Sequence, residues 1–289
     1  MKIAFFGTGL LGEPMAHRLL KAGYPLIVYN RTAGKTQALK KKGAAVAHIP
    51  TEAMQKADVF ITMLADFPAI DEVLFSPTAS SLPLKGKSLI QMSTISPQES
   101  LLLKKRFEEK GGEYMEAPVL GSIPQVKTGT LFILFSGTED QYNRWENLLK
   151  IFGDKIVMFG GVGGASAAKL ALNQLIASLT TAFSMSLGYL REKKVDIEKF
   201  MAILRESALY APTFDKKFDK MMRRDFKNPN FPVKHLLKDV DLILAEFSKE
   251  NIAATPLEGV KKVLVKAIET GESNMDYSAL YNAVHEKKE

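Results

Sequence analysis

Short apolar segments alternate with amphipathic stretches over the first half of the chain. The apolar segments have the length of buried strands, and most of them end in glycine, proline or small polar residues. They predict strands at Lys2–Phe6, Pro25–Asn30, Asp58–Met63, Ser88–Met92, Tyr114–Glu116 and Leu131–Phe135. The stretches between them predict helices, among them Glu13–Ala22, Lys35–Lys42 and Pro97–Lys110. Strands and helices that alternate at this spacing are typical of a doubly wound α/β domain with a parallel sheet.

The pattern changes after a glycine cluster at Gly160, Gly161, Gly163 and Gly164. Beyond this cluster the apolar residues recur at helical spacing and no strand is predicted. The predicted helices are Ala165–Lys193, Ile197–Ser207, Pro212–Arg224, Pro232–Lys249, Pro256–Thr270 and Tyr277–Lys287. We therefore expect two domains that meet near residue 160, an α/β domain at 1–160 and an all-helical domain at 161–289.

The first helix of the second half is long and largely uncharged. Leu170 to Leu190 is 21 residues without a charge, which is long enough to cross a bilayer. Its polar positions favour a helix buried inside a protein, so we expect no membrane span; they are Asn173, Gln174, Ser178, Thr180, Thr181, Ser184, Ser186 and Gly188. A helix of about 28 residues is roughly 42 Å long and needs partners along its length. We expect it to pack on the first domain or on another subunit of a homodimer or homotetramer.

Composition narrows the chemistry. The chain has 289 residues of which 46% are hydrophobic, enough for a substantial core, so disorder is excluded. It has no cysteine, which excludes disulfides, thiolate metal ligands and cysteine nucleophiles. The start of the sequence has no basic leader followed by an apolar segment, and we expect a cytoplasmic protein. The four histidines, at 17, 48, 235 and 285, are scattered, so no metal site is expected.

The net charge of +7 permits attraction to phosphate groups without selecting a partner. No basic segment has interleaved aromatic residues, and no helix-turn-helix or finger pattern occurs, so nucleic-acid binding is not expected.

A dinucleotide-binding motif follows the first predicted strand. Gly7-Thr8-Gly9-Leu10-Leu11-Gly12 is a G-x-G-x-x-G that opens a predicted helix. The first glycine makes a tight turn, the second lets a pyrophosphate approach the backbone, and the third allows close packing of helix on strand. In this position the motif predicts a Rossmann domain, with an ordinary glycine turn as the alternative.

The end of the second predicted strand favours NADP over NAD. NAD sites usually carry an acidic residue there, but this strand ends in Asn30-Arg31-Thr32. Arg31 offers a charged fork to a 2′-phosphate, Asn30 and Thr32 offer neutral hydrogen bonds, and Lys35 follows. The alternative is that Arg31 is a solvated arginine in a surface turn.

Three further segments carry polar residues suited to a substrate site. Ser93 and Thr94 follow a strand at the edge where open α/β sheets bind ligands, and Gly121-Ser122 offers backbone amides to an anion or is only a turn. Lys169 opens the long apolar helix, and Asn173 projects from the same face four residues later. Partial burial would lower the lysine's pKa and make it a proton carrier; the alternative is that it extends to solvent.

In chain order these segments resemble the β-hydroxyacid dehydrogenase family, which includes 3-hydroxyisobutyrate dehydrogenase and the glyoxylate/succinic semialdehyde reductases. The resemblance covers nearly the whole chain. Its segments are residues 5–16, Met92 to Pro97, Ala117 to Ser122 with Gly129 to Leu131, Gly163 to Asn173, and Phe231 with Lys238-Asp239.

The resemblance implies a Rossmann domain followed by an all-helical domain, and a role for each matching residue. Lys169 would be the catalytic acid and base, and Asn173 would orient the substrate. Thr94 would lie near nicotinamide and substrate, and Lys238 would reach the cofactor. Phe231 and Asp239 would line the substrate site, and Met63-Leu64 would follow the adenosine.

One departure concerns the substrate. The family usually has a serine at Leu120 that binds a substrate carboxylate, whereas Gly121-Ser122 and Asn30-Arg31-Thr32 suit the NADPH-using glyoxylate/succinic semialdehyde branch. The sequence therefore predicts an NADPH-dependent reductase of short aldehyde acids, or the reverse oxidation of hydroxy acids. Two alternatives stay open, an imine reductase, which Leu120 favours and Lys169 opposes, and a silent cofactor-binding scaffold.

Overall fold

The computed structural model describes residues 1–286, which form two compact units, Met1–Lys169 and Leu170 onward. The division between the units falls inside a helix, nine residues beyond the boundary expected at the glycine cluster. Lys287, the last residue of the final predicted helix, lies outside the described residues.

The first unit contains a six-stranded sheet in which every pair is parallel, in the order β3-β2-β1-β4-β5-β6. This is the doubly wound Rossmann topology that the alternating pattern predicted, and that prediction is confirmed. The strands are β1 Ile3–Phe6, β2 Leu26–Tyr29, β3 Ala45–Val46, β4 Val59–Thr62, β5 Ser88–Gln91 and β6 Glu113–Glu116.

The central strands read as continuous apolar segments because both faces of the sheet are covered. Every residue of β1 and β4 is buried. Two separate apolar clusters take alternate residues of β1, with Ile3 and Phe5 in one and Ala4 and Phe6 in the other. The helices of this unit are α1 Gly12–Lys21, α2 Gln37–Lys41, α3 Pro50–Lys56, α4 Phe67–Phe75, α5 Pro77–Ser80, α6 Pro97–Glu108, α7 Ile123–Thr128 and α8 Glu139–Leu149.

One predicted strand belongs to a different sheet. β8, Phe132–Phe135, pairs with β7, Val119–Leu120, and with β9, Lys155–Met158, in a separate three-stranded sheet. Its assignment to the main parallel sheet is therefore wrong. The apolar pattern of a buried strand does not say which neighbour the strand pairs with, and the antiparallel β7·β8 ladder is a tertiary choice.

The short elements of the first unit were not predicted. β3 and β7 have two residues each, too few for a detectable apolar pattern, whereas the apolar residues of β9 were not recognised as a strand. Helices α3, α4, α5 and α7 all carry proline in the first turn, a favourable position that sequence inspection can equally take for a loop. Predicted helix Lys35–Lys42 is a 3₁₀ turn, Ala33–Thr36, followed by α2.

The second unit is helical, and its long helices lie within one or two residues of the predicted bounds. They are α9 Gly164–Glu192, which begins in the first unit, α10 Ile197–Glu206, α11 Pro212–Arg223, α12 Val233–Lys249 and α13 Thr255–Glu269. The last predicted helix is shorter than expected. Asp276 caps a 3₁₀ turn at Tyr277–Ala279, and only α14, Leu280–Val284, continues from it.

Helix α9 is long and apolar enough to cross a membrane by length and composition, and 44% of its most apolar window is buried within the protein. Core helices of soluble proteins have the same property. Polar side chains on its buried side are accommodated by local bonds, since the hydroxyls of Thr181 and Ser184 donate to the carbonyls of Ala177 and Thr180.

Candidate active site

The glycine loop after β1 has the shape that a dinucleotide requires. Gly7 has φ +99°, and a Cβ there would lie 2.2 Å from the carbonyl oxygen of Met63. A Cβ on Gly12 would lie 1.9 Å from the carbonyl oxygen of Gly7. Gly9 differs, because no atom lies within 4 Å of a Cβ built there. Packing thus explains the first and third glycines, while the second borders open space.

That open space fits a pyrophosphate. Helix α1 begins three residues after Gly9, and its N-cap residue, Leu11, makes no side-chain capping bond within the described chain. The helix N-terminus therefore keeps its positive dipole end and its amide donors for an anion. Gly7, Thr8, Gly9, Leu10 and Leu11 would hold the phosphates of a bound pyridine nucleotide.

Asn30 holds this loop in place. Its Oδ1 accepts the backbone N–H of Thr8 at 3.0 Å, and its Nδ2 donates to the carbonyl oxygen of Thr32 at 3.1 Å. The side chain expected to bind the cofactor directly is thus engaged by the protein, and it links the end of β2 to the glycine loop.

Arg31 is an exposed cation on the turn that follows β2. Its side chain is 84% exposed and lies 3.9 Å from the carboxylate of Glu72, a long and solvated ion pair of small energy. Thr32 and Lys35 are exposed on the same turn, at the 3₁₀ turn that follows β2. A guanidinium, an ammonium and a hydroxyl are therefore exposed on one turn, where they could donate to an anionic group.

The loops after β4 and β5 are bonded to each other. The hydroxyl of Ser93, which is buried, accepts the backbone N–H of Leu64 at 2.8 Å. Gln91 fixes Ser93 in turn, since its side chain bonds both the N–H and the carbonyl of that residue. Ser93 thus positions the Met63-Leu64 segment, and Thr94 follows it at the carboxyl edge of the sheet. The sequence places Gln91 at the start of this polar segment, but its support of Ser93 was not predicted.

The donors of Ser122 in the Gly121-Ser122 turn form hydrogen bonds within the chain. Gly121 has φ +140°, and a Cβ there would lie 2.5 Å from Leu131. Gln125 Oε1 accepts both the backbone N–H of Ser122 at 3.0 Å and its hydroxyl at 2.8 Å. These two donors of Ser122 therefore hold the turn rather than an anion, and Leu120 precedes them, half-buried, at the end of β7.

Lys169 and Asn173 project from one face of α9, four residues apart. Lys169 is only 9% exposed, and Asn173 is fully buried. The Nδ2 of Asn173 donates to Asp239 Oδ2 at 2.6 Å, and Lys238 lies 2.6 Å from the other oxygen of that carboxylate. Asp239 and Lys238, on α12, thereby fix the orientation of the Asn173 amide.

Phe231 lies in the segment that leads into α12. Its ring packs edge-on against Tyr277 at 5.9 Å, and its carbonyl accepts the N–H of Tyr277 at 2.9 Å. Burial raises the pKa of Tyr277 to about 12, so this neighbour stays protonated at physiological pH.

Two family models cover the chain. Residues 2–161 match the NAD-binding domain of 6-phosphogluconate dehydrogenase, and residues 163–284 match the NAD-binding region of NADP-dependent 3-hydroxyisobutyrate dehydrogenase. The chain belongs to the β-hydroxyacid dehydrogenase family. As a member of this family it is an oxidoreductase that binds a pyridine nucleotide and acts on CH–OH groups.

Individual β-hydroxyacid dehydrogenases resemble the protein over its full length. Glyoxylate/succinic semialdehyde reductase 1 of Arabidopsis thaliana is 31% identical and covers 100% of both chains. Among solved structures, 3-hydroxyisobutyrate dehydrogenase of Mycobacterium tuberculosis has a TM-score of 0.86 at 22% identity, over 98% of both chains. An imine reductase of Myxococcus stipitatus in complex with NADP⁺ has a TM-score of 0.67 at 21% identity, over 98% of this chain and 100% of that one. At these identities the two structures show the shared fold alone.

Proposed function

We propose that this β-hydroxyacid dehydrogenase is a cytoplasmic, homo-oligomeric, NADPH-dependent reductase of short aldehyde acids such as glyoxylate and succinic semialdehyde. The same site would catalyse the reverse oxidation of the hydroxy acids. The substrate class is supported by the likeness to the Arabidopsis reductase over the whole of both chains.

The observation that carries this proposal is that Lys169 and Asn173, both buried, lie four residues apart on α9. Lys169 is only 9% exposed on an apolar helix, so its ammonium is largely removed from bulk water. One turn along the helix, Asn173 is fixed through its nitrogen by Asp239. An amide fixed at its nitrogen presents its oxygen in one direction, so Asn173 can orient the ammonium or a substrate hydroxyl.

The chain's residues divide the reaction between them. When bound, NADPH would supply the hydride that adds to the carbonyl carbon of the substrate. Lys169 donates a proton from Nζ to the carbonyl oxygen, and in the reverse direction its neutral amine accepts the hydroxyl proton. Thr94 and Phe231 would contact the substrate, and Asn173 would orient it. Ser93 holds the loop that precedes Thr94.

The preference for NADPH rests on the turn after β2. Arg31, Thr32 and Lys35 offer donors to a 2′-phosphate, and no carboxylate ends the strand to repel it. Asn30 supports the site from within by holding the glycine loop. Met63 and Leu64 would border the adenosine, and Lys238 would reach the cofactor from α12.

Two enzyme assays test the proposal. In the first, aldehyde acids of two to five carbons and cyclic imines are each offered with NADPH and with NADH. We expect the highest kcat/KM for an aldehyde acid with NADPH. Faster turnover of a cyclic imine would instead support the imine reductase that Leu120 favours, and no turnover of any aldehyde acid would contradict the proposed substrate class.

The second assay uses Lys169→Ala. Loss of the proton donor lowers kcat by about 10²- to 10⁴-fold while the affinity for NADPH changes little. Lys56→Ala, at the exposed end of α3, is the matched control and keeps full activity. A Lys169→Ala enzyme that turned over like the control would show that the proton comes from elsewhere.

A further inference from the structure

The segment that joins the glycine cluster to α9 binds one buried carboxylate. Glu116, the last residue of β6, is 0% exposed. Its Oε1 accepts backbone N–H bonds from Gly163 at 2.8 Å, Ala165 at 3.0 Å and Ser166 at 3.2 Å. The N-terminus of α9 therefore binds an anion that belongs to the chain itself.

The other oxygen of Glu116 receives two hydroxyls. Ser166 donates to Oε2 at 2.6 Å, and Ser100 of α6 donates to the same atom. Because Ser100 gives its hydroxyl proton to Glu116, the same hydroxyl accepts the phenol O–H of Tyr114 at 2.7 Å, and burial raises the pKa of Tyr114 well above its usual value. Five donors thus bind one carboxylate. The Glu116 side chain is long enough to accept all five hydrogen bonds.

Two glycines allow the tight turn that leads into α9. Gly163 has φ +104°, and a Cβ on Gly164 would lie 2.3 Å from the carbonyl oxygen of Phe159. The hydroxyl of Ser136 also accepts the N–H of Ala165, at 2.8 Å. The first turn of α9 is therefore fixed to the end of β6 by bonds that leave it little freedom.

This turn leads directly to Lys169. Ser166 and Lys169 are three residues apart on one helix, about 4.5 Å along its axis, and they share a face. A shift of the first turn is therefore passed to the lysine, because the helix backbone between them is continuously hydrogen-bonded. Catalytic geometry is sensitive to such shifts, since a displacement of about 1 Å can cost roughly 10²-fold in rate.

We propose that Glu116 is a positioning residue that sets the place of Lys169 through the first turn of α9. The inference rests on the proposed role of Lys169 as proton donor. The position of Lys169 then depends on the length of the Glu116 side chain, which extends from β6 to three backbone amides of the α9 segment, and not on its charge alone.

Two substitutions separate length from charge. Glu116→Asp keeps the charge but shortens the side chain by one methylene, so it cannot reach all five donors. Glu116→Gln keeps the length, and its amide oxygen can still accept the three N–H bonds while the serine hydroxyls turn to accept from its nitrogen. We expect kcat to fall by about 10²-fold in Glu116→Asp and to stay within a few-fold of the parent in Glu116→Gln.

Two further measurements distinguish positioning from a general loss of folded protein. In Glu116→Asp the solvent deuterium isotope effect on kcat rises, because proton transfer becomes rate-limiting, while the Kd for NADPH stays at the parent value. A fall in kcat with an unchanged isotope effect would mean that only the folded fraction had decreased, and would overturn the proposal. So would a kcat that falls more in Glu116→Gln than in Glu116→Asp, or that changes in neither.

If Glu116→Asp does not fold, a milder pair gives the same test. Ser166→Ala removes the donor on α9, and Ser100→Ala removes the matching donor on α6. We expect a larger loss of kcat and a larger isotope effect in Ser166→Ala, and equal effects would overturn the proposal. Lys169→Ala is assayed in parallel: its retained activity would refute the proposed function, whereas normal Glu116 variants beside an inactive Lys169→Ala would refute this inference alone.

Discussion

Asn30 Oδ1 accepts the backbone N–H of Thr8 at 3.0 Å, so the residue that ends the second strand holds the phosphate loop that follows the first. In an NAD-binding fold this position usually carries an acid that binds the ribose. Here the amide binds the backbone of Thr8 and Thr32, and the proposal assigns the contact with the cofactor to the exposed residues next to it.

Asn30→Asp tests this division of roles. The carboxylate can still accept the N–H of Thr8 but cannot donate to Thr32, and it places a negative charge where a 2′-phosphate would bind. We expect the Kd for NADPH to rise about tenfold, roughly 1.4 kcal/mol, and the Kd for NADH to change little in a fluorescence titration. Asn30→Ala is the control for loop damage and weakens both nucleotides equally. An equal loss in Asn30→Asp would mean that the loop, not the charge, had changed.

Arg31→Ala tests the preference for NADPH directly. Its ion pair with Glu72 is long and exposed, so its removal costs little stability. We expect a rise of about tenfold or more in the Kd for NADPH, with the Kd for NADH nearly unchanged. Lys41→Ala, at the exposed end of α2, removes the same net charge and serves as control. If both variants weakened NADPH alike, general attraction by the basic surface would explain the binding.

Substitutions at two glycines of the loop should affect stability and nucleotide binding differently. Gly9→Ala meets no atom within 4 Å, so the thermal midpoint of the apoprotein should match the parent. The added methyl enters the space beside the backbone where a pyrophosphate must approach, and the Kd for NADPH should rise at least about tenfold.

Gly7→Ala should behave in the opposite way. Its φ of +99° and the carbonyl of Met63 only 2.2 Å away leave no room, so the apoprotein itself is destabilised. Thermal unfolding without nucleotide checks both variants. A Gly9→Ala apoprotein as unstable as Gly7→Ala would refute the assignment of that open space to the cofactor.

A buried ion pair stabilises the second unit. Lys217 Nζ lies 2.7 Å from Asp276 Oδ1, and both side chains are at most 8% exposed. Asp276 Oδ2 also accepts the N–H of Asn230 at 3.1 Å, just before Phe231. We expect Asp276→Asn to lower the free energy of unfolding in urea by about 3–5 kcal/mol, because it leaves a buried ammonium without its counter-charge.

An exposed pair supplies the control for that measurement. Arg205 and Asp215 form an ion pair of 2.8 Å with both side chains about 40% exposed, and Asp215→Asn should cost at most about 1 kcal/mol. Equal losses in the two variants would show that burial does not govern these pairs.

The buried pair of Lys217 and Asp276 makes the stability of the protein depend on pH. The Lys217 ammonium and the Ser278 donors hold the pKa of Asp276 below its ordinary value, against the opposing effect of burial. The folded state therefore binds this proton less readily than the unfolded state, and the stabilisation is lost as pH falls through the folded pKa. The difference in unfolding free energy between the parent and Asp276→Asn should shrink as pH falls below the ordinary aspartate range. A constant difference would contradict the linkage.

Helix α9 carries an exposed apolar stripe that the proposed oligomer would cover. Leu175, Met185 and Tyr189 are each more than half exposed, and with Ala171 and Ala182 they lie on one face of the helix. We expect the double variant Leu175→Glu, Met185→Glu to have a smaller assembly mass in light scattering than the parent. Ile203→Glu, 71% exposed on α10, is the control and should keep the parent's mass. A parent that is monomeric at micromolar concentration would refute the oligomer.

The sequence by itself determined the parts of the protein that depend on local pattern. Buried parallel strands such as Ile3–Phe6 must be continuously apolar, and long amphipathic helices keep a period of 3.6 residues, so both could be read directly. The glycine motif could be recognised because the short turn between strand and helix fixes the spacing of its glycines. Lys169 was conspicuous because a charge on an apolar helix is costly.

Only the tertiary structure decided which groups bond to one another. From the sequence, Asn30 could bind a cofactor as readily as the backbone of Thr8, and Ser122 could bind an anion as readily as Gln125. A polar side chain forms hydrogen bonds with whichever partner the fold brings within reach. The strand Phe132–Phe135 changed sheet for the same reason. Glu116 and the glycines at 163 and 164 lie 47 residues or more apart, and only folding makes them one site.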